Sequence, residues 1–180
     1  AIGDNTRKKL MTAIKLDGES VASEIKNDLR IRIATLADRG ITPGLGTLLV
    51  GDDGPSANYV SMKHRDSEEL GMNSREVRLP ASARQYEIDA VIDAFNADPS
   101  VDAYIVQYPF PNGLDFEAAL IRVLPEKDAD GLHPVNLGKL VQGTEAPVAC
   151  TPAGIQLLLN HYEVPIKGKH VVIVGRGLTI

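Results

Sequence analysis

Ser56, Tyr59 and Lys63 stand at i, i+3 and i+7, which on a helix is one stripe carrying a hydroxyl, a phenol and an amine. A lysine held this way against a sheet edge can be desolvated, lose its proton near neutral pH and serve as a base. The bland alternative is a solvated helix face with a half-buried tyrosine. Gln107 directly follows an apolar run, Tyr104-Ile105-Val106, and opens the segment Gln107-Tyr108-Pro109-Phe110-Pro111. Proline restricts its own backbone and its predecessor's, so this loop is stiff. A stiff loop holding an amide suits hydrogen bonding to a flat polar ligand; a structural proline loop with an incidental glutamine is the competing reading. Downstream, Pro125 to Leu140 is acidic and turn-rich, with Asp128 and Asp130 flanking Ala129 just before Gly131. An EF-hand needs a third ligand before its glycine, and here the glycine comes too early. A carboxylate accepting hydrogen bonds from the amino and ring N–H groups of a heterocycle fits as well as a divalent ion does. The histidines at 64, 133, 161 and 170 have no metal-ligand spacing with one another or with Cys150, so no metal site is assigned.

These groups need elements to position them. Apolar residues Val21, Ile25, Leu29, Ile33 and Leu36 recur at helical spacing between Gly18 and Arg39, and Gly40 stops the pattern. Leu45 to Val50 reads as a buried strand, ended by the turn cluster Gly51-Asp-Asp-Gly-Pro. Ser56 is expected to cap a helix running to about Leu70, closed by Gly71. Strands are expected at Asn73 to Leu79 and Ala103 to Val106, and helices at Gln85 to Asn96 and Leu114 to Val123. Segment 125–140 is read as a loop. Strand and helix alternate, which predicts an α/β fold with a parallel sheet covered on both faces. Such sheets bind ligands at the loops after their strands' carboxyl ends, where Gln107 falls.

A second unit is expected from Cys150. Thr151 is expected to cap a helix with Pro152 at its first position, and Ile155, Leu157, Leu158 and Leu159 make that helix apolar nearly all round, as if buried between two domains. Val171 to Val174 reads as a strand, and Gly175-Arg176-Gly177 follows at once, like the opening of a dinucleotide fingerprint. The third glycine of that pattern would fall at 180, which is Ile. Arg176 suits a phosphate, including the 2′-phosphate of NADP. The division expected is therefore 1–10 as an extension or tag, 11–149 as a catalytic domain, and 150–180 as a linker helix and the first strand of a second domain that is cut short.

With 180 residues, 43% of them hydrophobic, the chain can bury a core. A net charge of −5 argues against a nucleic-acid backbone as the main partner. The single cysteine excludes an internal disulfide and suits a reducing, cytoplasmic location. Apolar runs are too short to cross a bilayer, so no membrane partner is expected.

The ordered motifs Ser56-Ala-Asn-Tyr59-Val-Ser-Met-Lys63, Val106-Gln107-Tyr-Pro109-Phe-Pro111, Lys127-Asp128-Ala-Asp130-Gly131-Leu-His133-Pro134-Val-Asn136-Leu-Gly138, Cys150-Thr151-Pro152-Ala-Gly154 and Val174-Gly175-Arg176-Gly177 closely resemble the bifunctional methylenetetrahydrofolate dehydrogenase/methenyltetrahydrofolate cyclohydrolase family. The Gly177-Leu-Thr ending resembles its actinobacterial branch. Tyr108 and Phe110 depart from the leucines usual between the prolines. The resemblance implies an N-terminal parallel α/β catalytic domain plus the start of a Rossmann NADP-binding domain. It implies NADP as cofactor, tetrahydrofolate derivatives as substrates, and oxidation of the 5,10-methylene compound followed by hydrolysis of the methenyl cation to the 10-formyl compound. It matches Lys63 to the catalytic lysine, Gln107 to the amide that bonds it, and Asp130 to the carboxylate that holds the pterin. Tyr59 matches the stacking residue, Ser56 a supporting hydroxyl, and Gly175, Arg176 and Gly177 the start of the cofactor site. A homodimer is implied for the full-length protein, with weak NADP binding and little activity for these 180 residues alone. Two other readings stay open: a Rossmann-type dehydrogenase for another substrate, such as an amino acid, and a catalytically silent folate-binding module.

Overall fold

The computed structural model describes residues 13–175 and 177; the expected extension at 1–10 and Arg176 lie outside them. Helix α1 (Gly18–Ala37) precedes strand β1 (Gly44–Val50), helix α2 (Gly54–Glu69), strand β2 (Asn73–Leu79), helix α3 (Gln85–Ala97) and strand β3 (Ala103–Val106). Helix α4 (Phe116–Arg122), a single 3-10 turn (Pro125–Lys127), helix α5 (Pro134–Gln142) and helix α6 (Cys150–His161) follow. The strands form a parallel sheet of order β2-β1-β3, with Leu48 of β1 opposite Val77 on one side and Val106 on the other. From β1 the chain moves to one neighbour, then crosses back to the other. Right-handed crossovers in opposite directions put α2 and α3 on opposite faces. They also place the topological switch point between β1 and β3, where α2 begins and Gln107 directly follows its strand.

Side-chain alternation along β1 feeds both layers. Leu48 and Val50 join Ile88, Ile92 and Phe95 of α3, with Tyr104 and Val106 of β3, in the main core. The ring of Phe95 packs on that of Tyr104 with centroids 5.1 Å apart. Thr47 and Leu49 are also buried and point the other way. Tyr104 donates its hydroxyl to Asn96 Oδ1 at 2.7 Å, and the same oxygen accepts the N–H of Leu124, which joins the end of α3 to the segment after α4.

Five sequence expectations are corrected. The cap of α2 is Asp53, whose carboxylate accepts the backbone N–H of Ser56; Ser56 sits inside the first turn. Helix α6 starts at Cys150 with Ala149 as its cap, so Thr151 does not cap it and Pro152 lies within the first turn, where a missing N–H does no harm. That helix buries no residue; it meets α1 on one side, and Ile155 and Leu157 remain exposed because no described element covers the other. Val171 to Val174 is not a strand. A strand exists through its ladder, no described segment pairs with these residues, and Val174 is 98% exposed. An element read as loop is α5, which Pro134 opens and Gly143, at φ +69°, closes.

Ile92→Ala should cost about 3 kcal/mol, because Ile92 is wholly buried between α3 and the sheet. Urea unfolding followed by circular dichroism checks this: a loss below 1 kcal/mol would place the core elsewhere.

Candidate active site

Lys63, on the third turn of α2, reaches across the switch point and donates from Nζ to Gln107 Oε1 at 3.3 Å. Gln107 is held on both sides. Its backbone N–H donates to Leu48 O at 2.9 Å, continuing the β1–β3 ladder, and its side-chain Nε2 donates to Tyr108 O at 2.7 Å. The amide oxygen is thereby turned toward the lysine. Ser56, 2% exposed, supports the same loop from below. Its hydroxyl donates to Asp53 Oδ2 at 2.6 Å and approaches Tyr108 O at 3.4 Å, and hydrogen bonding from Ser56 holds the Asp53 carboxyl below its ordinary range. Ser56 does not line the open cleft.

The two aspartates of the acidic segment divide the work. Asp128 is 3% exposed and accepts the backbone N–H of His133 at 2.8 Å and Asn136 Nδ2 at 2.9 Å. His133 in turn caps α5 through its Nδ1, and Asn136 Nδ2 also donates to Pro125 O. Asp128 is therefore the knot that ties segment 125–136 together. Asp130, two residues on, faces the opposite way. Among the described residues no hydrogen bond holds its oxygens. Burial pushes its carboxyl above the usual carboxylate range, the Lys63 cation opposes this, and the Asp128 charge adds to it. Directly after the aspartates, Gly131 has φ +67°, and a Cβ there would stand 2.6 Å from Val148 C. Glycine alone lets the acidic segment lie against the backbone leading into α6.

Tyr59, Lys63, Gln107 and Asp130 line one cleft of about 340 Å³, together with Tyr108 and Cys150. Tyr59, 59% exposed, presents its ring at the mouth. Burial, then the Asp130 charge, pushes the Cys150 thiol up, so it stays protonated and weakly nucleophilic at neutral pH. The sequence reading assigned no role to Tyr108 or Cys150. Both sit beside residues it did single out, and only the folded cleft distinguishes them from loop and helix-start positions. Among the described residues no group of three His, Cys, Asp or Glu side chains could hold a metal ion. His64 and His133 are engaged in hydrogen bonds within the fold.

Comparisons with known proteins bear on this cleft. Residues 16–130 match the model of the tetrahydrofolate dehydrogenase/cyclohydrolase catalytic domain. The chain belongs to this family. It is 54% identical over 170 residues to the bifunctional protein FolD of Syntrophotalea carbinolica, a match covering 94% of this chain and 59% of that protein. The crystal structure of the bifunctional FolD methylenetetrahydrofolate dehydrogenase/cyclohydrolase from Campylobacter jejuni superposes with a TM-score of 0.88 at 36% identity, over 92% of this chain and 59% of that one. The FolD of Trypanosoma brucei, solved with NADP cofactor and an inhibitor, gives 0.90 at 36% identity, over 93% and 58%. The chain thus spans about three fifths of the length of these family members.

The two aspartates predict opposite responses. Asp128→Ala leaves buried donors unpaired and should cost about 3 kcal/mol. Asp130 has a raised folded-state pKa, so the folded chain binds that proton more tightly than the unfolded chain does. Its stabilising protonation is complete at low pH and is lost as pH rises through the folded pKa, leaving an ionised, partly buried group that weakens the fold at neutral pH. Asp130→Asn should therefore melt no lower than wild type at pH 7, with the difference shrinking as pH falls through the carboxylate range. Thermal melts of both variants across pH check this, and a strongly destabilised Asp130→Asn at pH 7 would contradict it.

Proposed function

We propose that this chain is the folate-binding catalytic part of an enzyme that oxidises 5,10-methylenetetrahydrofolate with NADP and hydrolyses the methenyl product to 10-formyltetrahydrofolate. The observation that carries the reading is the meeting of the Lys63 amine, the Gln107 amide, the Asp130 carboxylate and the Tyr59 ring around one cleft, in a chain of this family.

Each residue has a part that its surroundings support. Asp130, without a hydrogen-bond partner among the described residues, accepts hydrogen bonds from the amino and ring N–H groups of the pterin, and gaining these donors lowers the penalty on its partly buried charge. Tyr59 offers an open ring face for stacking. In the hydrolytic step water adds to the methenyl carbon, which is electron-poor. The added water must lose a proton, and the unprotonated Lys63 amine accepts it. The carbon–nitrogen bond to N5 then breaks as the new hydroxyl gives up its remaining proton and N5 takes one up, so the formyl group stays on N10. Gln107 Oε1 accepts a hydrogen from the amine in either charge state, so the bond that aims Lys63 survives the proton transfer.

In the oxidative step the chain's contribution is placement of the methylene carbon at the mouth of the cleft; NADP, when bound, accepts the hydride. Gly175 and Gly177 would begin its site. At Gly175 φ is +148°, and among the described residues no atom beyond its chain neighbours lies within 4 Å of where a Cβ would stand, which suits a phosphate's close approach. Arg176 is proposed as the phosphate-binding side chain. A homodimer of the whole protein, a cytoplasmic setting, and a division into a catalytic unit at 11–149 with a Rossmann unit from 150 are part of the same proposal. Among the described residues no helix is long and apolar enough to cross a membrane.

Lys63→Met should lower hydrolysis of 5,10-methenyltetrahydrofolate by about 100-fold or more, while Asp130→Asn weakens binding of the same compound by about tenfold or more. Decay of the methenyl absorbance and equilibrium binding measure the two. Undiminished hydrolysis in Lys63→Met would remove the amine from the reaction.

A further inference from the structure

His64 follows Lys63 directly and takes no part in the chemistry above. Its ring enters the sheet side of α2, where its side chain is 14% exposed. Nε2 lies 2.8 Å from the hydroxyl of Thr47, a wholly buried residue of β1, and Nδ1 is hydrogen-bonded to the hydroxyl of Ser74 on β2. Glu76 of β2 faces the same ring, with Oε2 3.6 Å from Nε2. One imidazole thus joins a helix to two adjacent strands through both of its nitrogens, one donating and one accepting in the neutral ring.

The other anchors of α2 are of different kinds. Val60, wholly buried, packs without directional preference. The Lys26–Asp66 ion pair to α1 is partly exposed, and such pairs hold geometry weakly. The Ser67 hydroxyl bonds back to the carbonyl of Lys63 within the helix, so that side chain ties α2 to no other element. The Asp53–Ser56 cap holds the start of the helix, two turns away from Lys63. Among the described residues, only the Thr47–His64–Ser74 bridge ties α2 to the sheet both directionally and next to Lys63.

We propose that His64 is a positioning residue for Lys63: by pinning α2 to β1 and β2 it sets the roll of the helix, and so where the amine meets Gln107. Consecutive helical residues point about 100° apart, so a ring locked in the sheet fixes the direction of its neighbour. The 3.3 Å bond from Lys63 to Gln107 is long, and a roll of α2 breaks it. The proposal deepens the reading of Lys63 as the proton acceptor and rests on it for its functional meaning, yet its test does not require turnover.

The test is competitive labelling of the 180-residue chain with trace acetic anhydride at one pH, read by mass spectrometry. Lys127 and Lys139 serve as internal standards. His64→Ala should raise the labelling of Lys63 relative to these by about three- to tenfold, the equivalent of one lost net hydrogen bond. Thr47→Val, which removes one leg at nearly constant volume, should move it the same way. His64→Gln, whose amide has a donor and an acceptor, should restore it in large part. A general loss of stability would not change one lysine against the others in the folded chain. Unchanged Lys63 labelling in both His64→Ala and Thr47→Val overturns the proposal. If His64→Ala does not fold, Thr47→Val and Ser74→Ala decide it by the same criterion. Failure of the underlying reading shows separately, as undiminished methenyl hydrolysis in Lys63→Met.

Discussion

The hydrogen bond from Lys63 to Gln107 spans the point where the sheet changes direction, and the surrounding architecture serves to hold its two ends. One end rides on α2, which follows β1; the other is the first residue beyond β3. Because β1 lies between β2 and β3 in a parallel sheet, the chain leaves β1 and β3 at the same edge and on diverging paths. The opening between those paths is a consequence of topology. What the side chains add is aim. Gln107 is fixed through its own backbone to β1 and through its amide to Tyr108, and α2 is fixed by a cap at its start and a histidine bridge in its middle.

The acidic segment solves a different problem. A carboxylate that is to stay open to the cleft must reach it without being paired by the protein's own donors. The two aspartates separate these demands: Asp128 absorbs the local donors and sets the backbone path, which leaves Asp130 without a hydrogen-bond partner among the described residues. The cost is a carboxylate whose burial disfavours its charged form. Gly131 then lets the segment press against the approach to α6, which brings Cys150 to the rim.

Helix α6 and the residues after it mark where the described fold runs thin. Tyr162 accepts the backbone N–H of Asp17 through its hydroxyl, which ties the end of α6 back to the start of α1. Beyond it the apolar run Val171 to Val174 stays exposed and unpaired among the described residues. A sequence with strong β-propensity adopts a strand only when a partner supplies the other half of the ladder, so propensity there outran the contacts available.

By itself the sequence determined the alternation of elements and the identity of the reactive groups. Apolar periodicity and glycine stops are local signals, and they located β1, β2, β3, α1 and α3 to within about two residues. The order of five motifs was likewise legible without coordinates. Caps were less so, since Asp53 and Ser56 are both good cap residues three positions apart, and only the backbone angles choose between them. Helix α5 was hidden because the polar residues at its start, His133 and Asn136, are turned inward to serve Asp128, a use that no hydrophobic pattern records. The tertiary structure alone decided which aspartate is buried and which faces the cleft, that Ser56 supports the loop from below, and that His64 grips two strands. Those assignments depend on contacts between residues far apart in the chain, and distance along a sequence carries no information about direction in space until the sheet has folded.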